Sequence, residues 1–347
     1  MKTPRPTYPI DDRRGAARLE RDGKPWEQVA SWGYGLGVRA FHTAHDLGWL
    51  SARRVACPVV SIGSLTAGGA GKTPIVRWLA ARLGERGRQP AILTRGYGAR
   101  GGSASRVVDG EHPDASRDGD EPALLARSLP GIPVVVGADR VRSATLALSR
   151  GADTLILDDG FQHRRLARDV NVLLWDDTAV ASHGRLLPAG SLREPVGGAR
   201  RADLLLLVDR GEGAPAPPKQ AIAPLRVEVT LRTHARQSIP EGTRVHALSG
   251  IANPASFERS LESLGLVLAG ATRHPDHHRF SREDVRAAVE LAAREHAAVL
   301  AVTAKDWVRW PKGAGVEVPA VFDLDVHVES EDLLLNAIAS AWTRSES

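Results

Sequence analysis

The stretch SIGSLTAGGAGKTP, residues Ser61–Pro74, contains the residue types that bind a phosphate chain. Glycines without a Cβ let backbone N–H groups curl around an anion, and the N-terminus of a following helix adds partial positive charge. Lys72 would reach the outer phosphates of a nucleoside triphosphate, and the Thr73 hydroxyl would bind Mg²⁺. Thr66 stands where the usual GxxxxGK[ST] pattern has its first glycine. A glycine-rich turn without a ligand is the alternative, but the flanking strand and helix favour a nucleotide site formed by Thr66, Ala67, Gly68, Gly69, Ala70, Gly71, Lys72 and Thr73.

Two carboxylates follow a second apolar segment. Asp158 and Asp159 end the run DTLILDD at 153–159, and a strand that ends in Asp is the usual Mg²⁺-organising partner of a P-loop. The polar and basic turn GFQHRR, residues 160–165, comes directly after them. Because open α/β sheets bind ligands beyond the carboxyl ends of their strands, we expect this turn to contact a ligand rather than only to pack.

Other candidate residues lie in two further loops. Arg95 and Tyr97 are flanked by glycines and follow a predicted strand over 89–94, so they are well placed for ligand contact. Asp120 and Glu121 lie just before a predicted helix. These two carboxylates could cap that helix, which is their commonest role, or one of them could be a catalytic base.

A histidine-rich loop, HPDHH at 274–278, leaves three interpretations open. Three imidazoles and a carboxylate could bind Zn²⁺, but their spacing lacks the i,i+4 geometry of short zinc motifs. A solvent-exposed loop is the second interpretation. An acid–base or orienting role is the one we favour, because imidazole titrates near neutral pH.

These motifs are separated by alternating predicted strands and helices. Such alternation is typical of an α/β fold, here a P-loop NTPase-like doubly wound and mostly parallel sheet with helices on both faces, plus a smaller C-terminal α/β domain. We expect a loose extension at 1–24, an amphipathic segment at 25–54, a core domain at 55–235 and the smaller domain at 236–347. The four glycines between 33 and 48 argue against one continuous helix in the second segment, and the last helix of the chain is expected to pack back on the core.

The composition limits the class of protein. With 347 residues, 42% hydrophobic and 25% charged, the chain is long enough for one or two globular domains. A net charge of +5 suits anionic partners such as nucleotides or an acidic membrane surface. A single cysteine, the absence of an apolar run of membrane-spanning length and an N-terminus unlike a secretory signal predict a cytoplasmic protein. Tryptophans and arginines in segment 25–54 suit a membrane interface and packing on the core about equally well.

Taken in order, the motifs resemble one family, the tetraacyldisaccharide 4′-kinases of lipid A biosynthesis. The matching segments are VVSIGSLTAGGAGKTP (59–74), TRGYG (94–98), GDEP (119–122), LILDDGFQHRRLARD (155–169), LLPAGSLREP (186–195), DHH (276–278) and TAKD (303–306). The resemblance implies transfer of the ATP γ-phosphoryl group to the 4′-hydroxyl of an acylated glucosamine disaccharide 1-phosphate. It also implies a P-loop fold with a larger N-terminal and a smaller C-terminal domain, and a peripheral location at the cytoplasmic face of the inner membrane with segment 25–54 as the docking element.

The resemblance also implies roles for individual residues. Asp120 matches the position of the family's general base, and His277 of the second domain would be its partner. Domain closure would then complete the site. Lys72 would act on the triphosphate, and Mg²⁺ would be bound by Thr73, Asp158, Asp159 and Glu121. Substrate contacts are expected from Arg95, Tyr97, Gln162, His163, Arg193 and Glu194. Two residues depart from the family pattern, since Ser64 replaces an Asn and Ala70 replaces a small hydroxyl residue, which removes one hydrogen bond to phosphate.

Two other classes are weaker. A P-loop ATPase or switch protein would couple hydrolysis to a protein partner, but a guanine-specific switch needs an NKxD-type motif, and TAKD at 303–306 has Lys and Asp adjacent. A nucleic-acid-binding protein would explain the charge, but the aromatic-plus-basic modules of such proteins are absent from the sequence. We therefore expect neither a nucleic-acid nor an obligate protein partner.

Overall fold

The computed structural model describes residues 25–96, 104–176, 184–211, 213–220, 223, 225–311, 313 and 318–343. The described strands are β1 Val59–Ser64, β2 Pro90–Thr94, β3 Arg106–Val107, β4 Val134–Val136, β5 Thr154–Asp158, β6 Val170–Trp175, β7 Leu204–Asp209, β8 Leu225–Ala235, β9 Arg244–Ser249, β10 Val267–Arg273, β11 Val299–Thr303 and β12 Ala320–Val328. The described helices are α1 Pro25–Asp46, α2 Lys72–Glu85, α3 Ala115–Asp118, α4 Asp120–Ser128, α5 Arg140–Leu148, α6 Pro254–Ser263, α7 Arg282–Arg294, α8 Ala304–Trp307 and α9 Glu331–Thr343, with a 3-10 helix at Val196–Arg201. The strands and helices predicted from the sequence coincide with these elements to within a few residues. Five elements of the structure were not predicted: β3, α3, α8, the 3-10 helix and β12.

The described chain divides into two compact units. The larger unit contains residues 25–232 and 324–343, and the smaller one contains 233–323. Both crossings lie inside strands, since β8 passes from the larger unit into the smaller and β12 returns. The segment 324–343, expected within a C-terminal domain at 236–347, therefore lies in the larger unit.

The sheet of the larger unit is mostly parallel. Its strand order is β8-β7-β6-β1-β5-β2-β4-β3, and among the pairs described there only β3 with β4 is antiparallel. Strand β1 lies between β5 and β6, with Ile62 in register with Asp158. Parallel pairing brings the carboxyl ends of β1, β5, β2 and β6 to one edge of the sheet, where the P-loop and the Asp pair follow their strands.

Both faces of this sheet are covered. Val60 of β1 packs in a buried cluster with Leu79 of α2 and Leu335 of α9, whereas its neighbour Val59 packs in another with Ala144 of α5. Successive strand residues point to opposite faces, so these two clusters lie on opposite sides of β1. A strand buried on both faces reads as a continuous apolar run, which is why the segment before the P-loop was recognisable as a strand.

The smaller unit is also parallel. Its strand order is β10-β9-β11-β12, and its core includes Phe257 of α6 against Phe322 of β12 in an edge-to-face contact. Helix α7 begins with a capping box in which the Ser281 hydroxyl accepts from the Asp284 N–H and the Asp284 carboxylate accepts from the Ser281 N–H. No helix in the described part of the chain combines the length and hydropathy needed to cross a bilayer.

Helix α1 is continuous over 22 residues, contrary to the expectation from its glycines. One of them, Gly35, is buried, and a Cβ there would lie 2.8 Å from Leu186 Cδ1. The Ser31 hydroxyl donates to the Leu186 carbonyl at 3.0 Å, one turn away on the same face. Tertiary packing on a narrow small-residue face therefore outweighs the low helix propensity of glycine here.

Candidate active site

The P-loop joins β1 to α2 and has the geometry of a phosphate cradle. Gly71 precedes α2 with a φ of 79°, a left-handed conformation that favours glycine, and the first N–H groups of the helix have no partner within it. Gly63 in β1 is also required, because a Cβ there would lie 2.6 Å from Phe161 Cβ. Residues Lys72 and Thr73 are the first two residues of α2, so both lie at the positive end of its dipole.

Lys72 connects the loop to the carboxylates beside it. Its Nζ lies 3.1 Å from the Gly68 carbonyl oxygen, 3.4 Å from Ser64 Oγ and 3.6 Å from Asp159 Oδ1. From this position the Lys72 ammonium group can exchange its contacts with loop oxygens for contacts with phosphate oxygens while it stays in the site. Arg210, at the end of β7, donates to the Gly69 carbonyl, so a second cation borders the loop. No local sequence pattern points to Arg210, since it lies about 140 residues from the P-loop.

Asp158 and Asp159 lie together at the end of β5 in different electrostatic surroundings. Burial, followed by the nearby Glu121 and Asp159 carboxylates, raises the pKa of Asp158 to about 7. Burial also disfavours the charged form of Asp159, but Lys72 and Arg193 outweigh it and hold its pKa below the usual range. The Arg193 guanidinium donates to Asp159 Oδ2 at 2.5 Å. Asp159 has a φ of 54°, a conformation that costs a non-glycine residue energy and is concentrated at functional sites.

The residues predicted to bind Mg²⁺ are suited to a hard cation. Glu121 and Asp159 are close enough to Asp158 to raise its pKa, so three carboxylates from β5, its following loop and α4 share one region. Carboxylate oxygens are the protein ligands that Mg²⁺ prefers, and a bound cation would relieve their mutual repulsion.

Asp120 and Glu121 lie in the first turn of α4, which begins at Asp120 rather than after it as expected. Gly119 precedes the helix with a φ of 97°, and Asp120 is only 8% exposed. Carboxylates at this end of a helix are stabilised by its dipole, although the N-cap residue itself is Gly119. The role of Asp120 as a base remains a prediction.

Arg140 is a site residue that the sequence analysis missed. It is the first residue of α5, it is buried, and its guanidinium donates to the Gly137 carbonyl. Burial lowers its pKa to about 10, while Asp158 and Asp159 act in the opposite direction and Arg95 adds to the lowering. Arg95, exposed at the end of β2, therefore lies in the same electrostatic region as the Asp pair. A basic residue at the positive end of a helix is unfavourable, and that was the available signal.

The loop 186–195 packs along the P-loop. The Arg193 N–H donates to the Leu65 carbonyl and the Ala67 N–H to the Ser191 carbonyl, both at 2.7 Å. The Tyr34 hydroxyl of α1 donates to the Arg193 carbonyl, also at 2.7 Å. These bonds explain why a loop distant in sequence places Arg193 beside Asp159.

Glu194, predicted as a substrate contact, has a carboxylate that other residues of the chain bind. Its side chain is fully buried, accepts two hydrogen bonds from Arg201 at 2.7 and 2.9 Å and lies 3.1 Å from His42 Nε2 of α1. Gln162 donates to the same carboxylate at 2.8 Å and to the Ser64 carbonyl at 2.9 Å. The Glu194 carboxylate is thus occupied by protein partners and positions α1, the GFQHRR turn and the end of β1 relative to one another.

His163 remains available for a ligand. Burial, followed by Arg140, Arg168 and Arg165, lowers its pKa to about 4, so its imidazole is neutral at physiological pH. Its Nε2 is buried without a hydrogen-bond partner among the described residues. Tyr97 lies outside the described residues.

The smaller unit contains the histidine-rich loop. His277 has a φ of 63°, and its N–H donates to the Gly250 carbonyl at 3.0 Å; its Nε2 lies 3.7 Å from Asp276. Asp306 of the TAKD segment is fully buried and accepts from the Gly250 N–H at 3.1 Å, so this segment supports the loop. The predicted partnership of His277 with Asp120 remains an expectation from the resemblance.

The zinc interpretation of this loop has limited support. His274, His278 and Asp284 have ligand atoms within 4.8 Å of one another. However, the two imidazole rings stack at 4.2 Å with an interplanar angle of 16°, so their in-plane nitrogen lone pairs do not converge on one point. Asp284 also accepts from the Ser281 N–H and hydroxyl, which leaves it committed to the helix cap.

Together, the P-loop, its lysine, the Asp pair and the flanking arginines define a P-loop enzyme that acts on nucleoside triphosphates. Comparison with known proteins is more specific. The family described as LpxK, tetraacyldisaccharide-1-P 4′-kinase, matches residues 25–342. The chain therefore belongs to the tetraacyldisaccharide-1-P 4′-kinase family, and it is a kinase.

Individual relatives agree with this assignment. The tetraacyldisaccharide 4′-kinase of Anaeromyxobacter dehalogenans (strain 2CP-C) is 45% identical over 285 residues, 76% of this chain and 75% of that protein. That of Syntrophus aciditrophicus (strain SB) is 38% identical over 324 residues, 85% and 86% of the two chains. A crystal structure described as the apo form of LpxK from Aquifex aeolicus in complex with ATP matches with a TM-score of 0.71 and 29% identity, covering 90% of this chain and 98% of that one.

Proposed function

We propose that this chain transfers the γ-phosphoryl group of ATP to the 4′-hydroxyl of an acylated glucosamine disaccharide 1-phosphate. The observation that supports it most is the convergence of Lys72, Arg193 and Arg140 on the Asp158–Asp159 pair beside the P-loop, within a chain of the 4′-kinase family. Phosphoryl transfer depends mainly on positioning and charge stabilisation, and this arrangement concentrates cations where the triphosphate would lie.

In this proposal the 4′-oxygen bonds to the γ-phosphorus as the bond from that phosphorus to the β–γ bridging oxygen breaks, and ADP leaves. Asp120 accepts the hydroxyl proton, and Lys72 and Arg140 stabilise the phosphate oxygens. Mg²⁺, held by Thr73, Asp158, Asp159 and Glu121, would neutralise charge that develops on the transferred group. His163, neutral and unpartnered at Nε2 among the described residues, would accept or donate one hydrogen bond to the acceptor.

We also propose that the protein works as a peripheral protein at the cytoplasmic face of the inner membrane. Helix α1 packs through Ser31 and Gly35 and leaves Trp26, Val29 and Trp32 60%, 65% and 73% exposed. Exposed aromatic and aliphatic side chains on one side of a helix suit an interfacial position, and a lipid acceptor would be found there.

The test is incubation with labelled ATP, Mg²⁺ and the acylated disaccharide 1-phosphate in neutral detergent. We expect labelled lipid from the wild type and from Glu111→Gln, an exposed carboxylate control. For Asp120→Asn we expect at least about a 100-fold loss of transfer, with nucleotide binding retained. Release of phosphate without labelled lipid would favour an ATPase or switch, and near-normal transfer by Asp120→Asn would rule out this base.

A further inference from the structure

A basic cavity outside the P-loop has no role in the proposed reaction. Its volume is about 460 Å³, and it is lined by Ser51, Arg53, Asp139, Val141, Arg142 and Arg165. That volume is in the range of small-molecule sites, and three of its six lining residues are arginines. Planar guanidinium groups bind phosphate through paired hydrogen bonds, so the lining is suited to a phosphate group.

The charges of the cavity are not balanced by its own carboxylate. Asp139 accepts from the Val141 and Arg142 N–H groups as the N-cap of α5, and it lies 3.7 Å from the Arg142 guanidinium. By contrast, the Arg53 and Arg165 guanidinium groups form no ion pair or hydrogen bond within the described part of the chain, although Arg165 is near enough to help lower the pKa of Asp139. Two positive charges in one cavity repel each other, and a bound anion would relieve that repulsion.

The backbone holds these two arginines together. The Arg53 N–H donates to the Arg165 carbonyl and the Ala167 N–H donates to the Arg53 carbonyl, both at 2.8 Å. Arg53 also forms a parallel bridge with Leu166. The two side chains therefore originate from a fixed wall, although residues 53 and 165 are far apart in sequence.

The cavity is next to the apolar end of α1 in the chain. Trp49, which is 78% exposed, and Leu50 directly precede Ser51 of the lining. Another lining residue, Arg142, is two residues from Arg140, whose pKa is lowered by burial while the Asp158 and Asp159 carboxylates act in the opposite direction. Along the chain, the cavity lining thus adjoins exposed apolar residues at one point and Arg140 of the candidate active site at another.

From these observations we propose that the cavity of Arg53, Arg142 and Arg165 binds a phosphate group carried by a lipid. The phosphate belongs either to the acceptor itself, as its 1-phosphate, or to the headgroup of a neighbouring anionic phospholipid. This inference rests on the proposed function and extends it. The kinase would add one phosphate at the P-loop and bind a different, already present phosphate group in this cavity.

The experiment compares Arg53→Gln/Arg165→Gln with Arg127→Gln/Arg150→Gln, which removes the same charge from exposed arginines elsewhere in the unit. The first arm measures kcat and KM in neutral detergent for the acceptor with and without its 1-phosphate. The second measures sedimentation with vesicles of phosphatidylcholine alone or with a quarter of phosphatidylglycerol. Thermal unfolding of both double variants checks that they fold.

If the 1-phosphate is the occupant, the Arg53/Arg165 variant raises KM for the phosphorylated acceptor about 10-fold or more, with kcat nearly unchanged and no effect on the acceptor lacking phosphate. If a headgroup is the occupant, detergent kinetics are unchanged and binding to the anionic vesicles falls about 10- to 30-fold. A variant that matches the control in both arms overturns the proposal. A wild type without transfer activity would instead refute the proposed function, and the vesicle arm would still decide about the cavity.

Discussion

Asp158 and Asp159 are adjacent in sequence, yet their surroundings shift their pKa values in opposite directions. The raised pKa of Asp158 follows from burial and two nearby carboxylates, and the lowered pKa of Asp159 from Lys72 and Arg193. Asp159 is therefore paired with cations of the chain itself. Asp158 is charged only at an energetic cost unless a cation binds beside it. That asymmetry is the residue-scale reason to expect a metal at this sheet edge.

We predict that Asp158→Asn stabilises the metal-free protein at pH 8. Because the pKa of Asp158 is about 7 in the folded protein and ordinarily 3.8, Asp158 stabilises the fold fully below about pH 4 and loses that contribution as pH rises through 7. The variant should be more stable than the wild type by up to about 4 kcal/mol at pH 8 in urea unfolding with chelator, and the difference should close toward pH 4. Equal stability at pH 8, or the same gain in Glu111→Gln, would contradict this cause. Activity should fall in the same variant.

Among single residues, those recognised from the sequence lie in local patterns. Lys72 follows glycines and Asp158 ends an apolar run, so their surroundings are contained in short segments. Arg140 and Arg210 were missed because their proximity to the site arises only when separate strands pair. The partners of Glu194, His42 and Arg201, could not be predicted, since they come from elements that sequence patterns do not bring together.

At the scale of elements, α1 and β12 show where patterns were insufficient. The fold class is confirmed, because buried parallel strands and amphipathic helices have clear periodicities. Helix α1 was expected to be interrupted, because propensity ignores the close contact that Gly35 allows with Leu186. Strand β12 received no assignment, although its residues VFDLDVHV alternate between apolar and polar.

If α1 docks on a membrane, charges on its exposed face should weaken vesicle binding. We expect Trp26→Glu/Trp32→Glu to lower binding to lipid vesicles about 10- to 100-fold, because two interfacial aromatic side chains are lost. Val318→Glu/Leu333→Glu provides the control, since both residues are exposed apolar side chains outside α1. Sedimentation measures binding, and unchanged thermal unfolding shows that the fold is intact. Equal loss in the two variants would argue against docking through α1.

At the scale of the whole molecule, the ends of the chain share one core. Leu334, Leu335, Ile338 and Trp342 of α9 belong to the same buried cluster as Val60 of β1. The strand that precedes the P-loop is therefore packed beneath residues nearly 280 positions later in the sequence. The expectation that the last helix packs back on the core agrees with this cluster, although the domain bounds 236–347 had placed the helix in the smaller domain.

A cavity in α9 should therefore weaken the nucleotide-binding unit. We expect Ile338→Ala to cost about 2 to 5 kcal/mol of unfolding free energy, since the side chain is 1% exposed. Leu333→Ala on the same helix, 54% exposed, should change stability by less than about 0.5 kcal/mol. Urea unfolding of both variants, with and without ATP, is the measurement. Similar values for the two would show that α9 does not support this core.

The two crossings inside β8 and β12 have a consequence for synthesis on the ribosome. Among the described residues, the smaller unit is the continuous segment 233–323, whereas the larger unit needs residues from both sides of it. Domains fold as units once their residues have emerged. The smaller unit can thus fold while the P-loop sheet, begun much earlier, still lacks α9. During that interval the surface that α9 covers in the folded unit is exposed on the nascent chain.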